Sequence, residues 1–192
     1  MNVMIDLETL GTRAGSVILS IGAIEFDVDA GLGREFYAEV SQLTCGQVGL
    51  LRDGPTITWW QERCLENETL KEFLYRTTRG GEAIWTALSN LNAWLPQDPL
   101  VWGNGAAFDN AILKEAYRLC SVVPGWHFEN DRCYRTLKNL APEVTLERSG
   151  THHHALDDAR TQAEHAIRLL KSLASPKLDL AELQRLRKTS KY

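Results

Sequence analysis

The sequence has no excess of positive charge, no clustered cysteines and no long apolar run, and each absence removes a class of protein. Its 21 Lys+Arg stand against 25 Asp+Glu, a formal net charge of −4, which excludes a protein that coats a duplex by charge alone. The four cysteines, Cys45, Cys64, Cys120 and Cys133, are scattered with no C-x-x-C pair. That pattern fits neither a zinc knuckle nor a disulfide framework, and it suits reduced thiols in a cytoplasmic protein. Charged residues interrupt every long apolar stretch, so neither a transmembrane helix nor a membrane partner is expected. The chain enters a strand-like run almost at once, so no signal peptide is expected. There is no internal repeat and no low-complexity segment. What remains is a chain of 192 residues, 44% hydrophobic and 24% charged, the size and composition of one globular domain.

Along the chain the period of the apolar residues changes once. Val3 to Glu8, Gly15 to Asp29 and Arg34 to Val40 read as three successive strands, and their short connections predict an antiparallel meander. Residues 41–55 show no clear period and read as a loop. Helices then take over: two short ones within 58–76, one over 82–95 and one over about 107–120. A short helix is expected over 131–141 and a long one from near Leu156 to before Pro176. A strand at Pro99 to Gly105 interrupts them. Strands first, then helices alternating with a strand, predict an α/β domain with a mixed sheet flanked by helices. The domain is expected over 1–175, with 176–192 as an amphipathic, basic appendage. Its Arg185, Arg187, Lys188 and Lys191 suit a phosphate or a partner subunit, as in a homodimer, although such runs are more commonly just solvated.

Three carboxylate-bearing segments carry the chemistry. Asp6 and Glu8 are two apart in the first strand, so both face one side while Ile5 and Leu7 face the other. Their Cα atoms are expected ~6–7 Å apart, a span that can bracket a pair of cations ~3.5–4 Å apart. An isolated D-x-E is more often a wet polar face, but two like charges on a central strand are costly without a cation. Asp109 opens a helix directly after a strand, in GNGAAFDNAIL, where it would also complement the helix dipole. In HHHALDDA, residues five apart on a helix would diverge by ~140°. His153 and Asp158 therefore address one site only if His153 lies in the preceding loop and Asp158 in the first turn. The run His152, His153, His154 does not read as a zinc cage, because adjacent side chains diverge and no cysteine is near.

Taken together, DLET, GNGAAFD and HHALDDA resemble the three motifs of the DEDDh 3′-5′ exonucleases, the group of the DnaQ-like proofreading subunits, RNase T and oligoribonuclease. The resemblance spans residues 3–173, and H-x-x-x-x-D is its most specific element. The tyrosine-bearing sister group would need Y-x-x-x-D, and Lys138 stands four residues after Tyr134. DLETLGT, SVILSIGAIEFD and TITWW are most similar to the compact phage exonuclease A-type and actinobacterial exoribonuclease subgroup. The resemblance implies a ribonuclease H-like fold and two Mg²⁺ or Mn²⁺ ions held by Asp6, Glu8, Asp109 and Asp158. It also implies His153 as the general base, with Thr9 and Leu10 touching the terminal nucleotide. Asp157 with His152 has the same spacing, but the family pattern puts Ala after the metal-binding Asp, as Ala159 follows Asp158.

The chemistry is consistent with these residue types. Hard cations take oxygen ligands, and a histidine titrating near ~6.5 takes a proton near neutrality. Two divalent ions would bring the net charge from −4 to zero, so an acidic chain can still hold the 3′ end of single-stranded DNA or RNA. Trp59 and Trp60 would stack on unpaired bases, though adjacent helical residues diverge by ~100°, so one of them is expected in the core. Two other readings use the same residues: a metal-dependent phosphodiesterase or phosphatase acting on small nucleotides, and a non-catalytic nucleic-acid module of the same fold.

Overall fold

The computed structural model describes residues 1–105 and 107–174. The appendage expected at 176–192 lies outside the described residues. The chain opens with β1 (Asn2–Thr9), β2 (Ile18–Asp27) and β3 (Gly31–Glu39), the antiparallel meander the alternation predicts. Helices α1 (Gln42–Gln47), α2 (Gly54–Glu66), α3 (Glu68–Arg79) and α4 (Ile84–Trp94) follow. Then come β4 (Leu100–Gly103), α5 (Asp109–Leu119), β5 (Asp131–Cys133), α6 (Tyr134–Leu140) and α7 (Ala155–Ala174). The strands form one five-stranded sheet in the order β3-β2-β1-β4-β5, with β1 parallel to β4 and β4 parallel to β5.

Two expectations change. Residues 41–55, read as a loop, contain the six-residue α1, too short for a period to register. Residues 131–133, read as the start of a helix, form β5 instead. The strand is only three residues long, and its pairing with β4 comes from the tertiary structure rather than from any local pattern.

The two faces of β1 feed different cores. Val3, Ile5 and Leu7 join Leu19, Ile21 and Ala23 of β2 against residues of α2 to α5. Met4 joins Ile24, Phe26 and Trp102 against α6 and α7. Asp6 and Glu8 share the parity of Met4, so they open toward α7. That helix lies close to the sheet because Ala155, Ala159, Ala163 and Ala166, all fully buried, line its inner face. Ile167 and Leu170 are partly buried at its margin.

Candidate active site

The site forms where β1 outruns its parallel neighbour. The β1–β4 pairing ends at Met4 and Trp102, so Asp6 to Glu8 continue along an unpaired edge, at the strand end where open α/β sheets collect ligands. On the β2 side Asp6 faces Gly22. A Cβ on Gly22 would come within 2.2 Å of the Ala155 carbonyl carbon and 2.3 Å of the Leu156 nitrogen. The missing side chain therefore lets the start of α7 rest on the sheet beside Asp6.

With α7 seated there, Asp6, Glu8 and Asp158 each offer an oxygen, and the three lie within 4.8 Å of one another. Burial, then the charges of Asp109, Glu8 and Asp158, hold Asp6 well above the usual carboxylate range. Burial, then Asp158 and Asp109, push Glu8 up to about 8. Gln162, one turn beyond Asp158, donates from Nε2 to Asp6 Oδ1 at 2.6 Å and partly counters the shift. Arg148 Nη1 donates to Asp158 Oδ1 at 2.9 Å. Among the described residues no ion pair neutralises Asp6 or Glu8. An all-oxygen cluster in which only one of three acids has a cationic partner suits a hard divalent cation.

Asp109 stands apart from that cluster. It is buried, and its Oδ1 accepts the Leu7 amide at 3.3 Å while Oδ2 accepts the Asn104 amide at 2.7 Å. Burial raises it to about 7 against the pull of those amide bonds and of Arg135. The Leu7 N–H points off the unpaired edge of β1, so a buried donor there needs an acceptor. Gly103 makes room for it, since a Cβ at that position would meet Asp109 Cβ at 2.9 Å. Asp109 thus ties β1, β4 and α5 together one step behind the three converging acids.

His153 lies in the loop before α7, with a left-handed φ of 64°, a region that histidine tolerates better than most residues. Its N–H donates to Asp158 Oδ2 at 3.0 Å. Its ring meets Trp59 edge-on at 4.9 Å and Trp60 at 6.0 Å. Burial, then the neighbouring His152, lower its pKa below 6.5, leaving a neutral ring near pH 7. Asp157 points elsewhere: it accepts from the Thr151 amide at 2.9 Å and from Arg160 at 2.7 Å.

The left-handed turn also corrects one expectation. The rings of His152 and His153 do not diverge but lie 3.8 Å apart.

An open cleft of about 780 Å³ joins Asp6, Glu8, Asp158 and His153 to Thr9, Thr12, Trp59 and Lys138. Trp60 is the buried tryptophan, anchored by its Nε1–H to the Thr9 carbonyl at 2.9 Å, and Trp59 is 36% exposed. Leu10, expected beside the substrate, is instead 4% exposed in the core and does not line the cleft. The β1–β2 register shifts between Glu8 and Thr9, and such a bulge turns Leu10 to the side of Leu7. Gln162 and Arg148 were not anticipated. The i, i+4 spacing from Asp158 would have marked Gln162, whereas nothing in the sequence marks Arg148.

Residues 1–170 match the 3′-5′ exoribonuclease Rv2179c-like domain. The chain belongs to that family. It is a DEDDh 3′-5′ exonuclease, a hydrolase acting on nucleic acid and dependent on divalent metal. This overturns the reading of a non-catalytic module. Among solved structures, the nuclease domain of 3′hExo, a DEDDh family member bound to rAMP, aligns with a TM-score of 0.49 at 15% identity. The alignment covers 88% of this chain and 91% of that one. No curated protein matches significantly. Among the described residues no helix is long and apolar enough to cross a membrane.

Proposed function

We propose that the protein removes nucleoside monophosphates one at a time from the 3′ end of single-stranded nucleic acid, with RNA as the main substrate and Mg²⁺ or Mn²⁺ as the ions. The observation that carries this reading is the convergence of Asp6, Glu8 and Asp158 from β1 and α7, with His153 beside them. The exoribonuclease description of the family favours RNA over DNA. Residues 1–175 form the exonuclease unit in this reading.

Asp6, Glu8 and Asp158 would hold two ions, with Asp109 contributing from behind. When bound, the ions neutralise the phosphate and the leaving 3′-oxygen and ease deprotonation of the attacking water. The residues of the chain do the rest. His153, neutral and fixed between Trp59 and Asp158, takes the proton of the water. Gln162 holds the Asp6 carboxylate in place. Thr9 and the exposed face of Trp59 contact the terminal nucleotides, with base stacking worth roughly 1–3 kcal/mol per base. Trp60 supports Trp59 from the core, at a ring distance of 5.2 Å.

A panel of 5′-labelled single-stranded, duplex and overhang RNA and DNA tests the reading. Single-stranded RNA should shorten as a one-nucleotide ladder, and a 3′-phosphate should slow it sharply. Faster turnover of a mononucleotide ester than of the oligonucleotide would favour the small-substrate phosphodiesterase instead.

A further inference from the structure

The chain carries a second cluster of metal-ligating groups, in which the exonuclease reading already uses His153 and Asp158 and leaves His152 without a role. His152, His153 and Asp158 each offer one ligand atom, and the three atoms lie within 4.8 Å of one another. Adjacent residues rarely converge in this way. They do so here because His153 takes a left-handed φ of 64°, which brings the two imidazoles to 3.8 Å. Two imidazoles and a carboxylate with open remaining positions form the donor set of catalytic zinc sites. Such a donor set selects Zn²⁺ and similar borderline ions, whereas Mg²⁺ prefers the all-oxygen cluster beside it.

We propose that His152, His153 and Asp158 form a second cation site, specific for a borderline ion such as Zn²⁺, and that its occupancy inhibits the enzyme. A tetrahedral ion with bonds of ~2.0–2.2 Å needs its ligands to close to roughly 3.4 Å. The exposed side chain of His152 is free to supply that movement. Arg148, which donates to Asp158 Oδ1, is half-exposed and can swing into solvent as the ion arrives. The ion takes the ring nitrogen lone pair of His153, so that histidine can no longer accept a proton. It also shares Asp158 with the Asp6 and Glu8 cluster, which couples the two sites. The cation site stands on this geometry alone, and only the inhibition rests on His153 acting as the base.

The test is calorimetric titration of Zn²⁺ into the full chain in saturating Mg²⁺, for the wild type, His152→Ala and Glu8→Gln. Exonuclease activity is followed in the wild type and His152→Ala over the same Zn²⁺ range. The wild type should bind one Zn²⁺ that excess Mg²⁺ does not displace, and Glu8→Gln should keep it. His152→Ala should weaken binding by at least the roughly 10–100-fold typical of losing a supporting group at a metal. The Zn²⁺ concentration for half-inhibition should rise by the same factor. Zn²⁺ binding that His152→Ala leaves unchanged, or that Glu8→Gln abolishes and Mg²⁺ displaces, overturns the site. Binding that depends on His152 without inhibition upholds the site and overturns the role of His153 as base. Circular dichroism of both variants checks that they fold, and the exposed position of His152 keeps that variant informative.

Discussion

Gly22 and Ala155 are in direct backbone contact across the sheet–helix interface, so close that a methyl group on Gly22 would lie 2.2 Å from the Ala155 carbonyl carbon. The contact sits opposite Asp6 in the β1–β2 ladder, and it sets the distance from Asp158 to Asp6 and Glu8. Gly22→Ala should therefore cost roughly 1–3 kcal/mol of stability by overpacking. It should weaken metal binding more than a core substitution of equal cost far from α7. Urea denaturation together with Mn²⁺ titration checks both. An equally destabilised variant with the same loss of Mn²⁺ affinity would remove the special role of this contact.

Burial of the acids, with their mutual repulsion second, predicts how stability follows pH. Burial and the charges of Asp158 and Asp109 put Glu8 near 8, and burial alone puts Asp109 near 7, above their ordinary values of 4.5 and 3.8. Protonation therefore favours the folded state. Their stabilising contribution is full below about pH 4 and is lost as pH rises through about 7–8. Metal-free protein should show a Tm that falls across this window. Mg²⁺ or Mn²⁺ should raise Tm by more at pH 8 than at pH 5. A metal-induced shift independent of pH would contradict this origin.

Asp109 has a structural duty that the sequence does not reveal. Read from sequence, Asp109→Ala loses activity in a folded protein. The bonds to the Leu7 and Asn104 amides predict a further loss of about 1–3 kcal/mol for each donor left unpartnered. Asp109→Asn keeps one acceptor and should be the more stable variant, still inactive. Thermal melts of the two variants side by side decide the order.

His153→Ala should lower kcat by roughly 10²–10⁴ while Mn²⁺ binding survives. His154→Ala should cost far less, because that ring stacks on Tyr37 at 4.5 Å, away from the acids. The low-pH limb of the rate profile should lie below the ordinary histidine value of 6.5, since burial lowers the pKa of His153. The limb should vanish only in the His153 variant. A sensitive His154 would show that the loop register is misassigned.

The legible parts of the sequence were those governed by a local period. Alternation in β1 put Asp6 and Glu8 on one face, and the helical angle between His153 and Asp158 required the loop-to-helix boundary seen before Ala155. The parts that were not legible depend on contacts distant in the chain or on broken periods. β5 is too short to show a period. Leu10 followed a strand alternation that the bulge after Glu8 interrupts. The importance of Gly22 lies entirely in what packs on it, 133 residues away at Ala155. The convergence of His152 and His153 comes from a single positive φ, which side-chain spacing cannot express.

The most direct test of the exonuclease account is the digestion of a 5′-labelled single-stranded RNA by the wild type and by Glu8→Gln, with Mg²⁺ and with excess EDTA. The account predicts a one-nucleotide ladder from the 3′ end for the wild type in Mg²⁺, and intact RNA for the variant and in EDTA. Undiminished digestion in EDTA, or efficient cutting of a circular RNA, would contradict it.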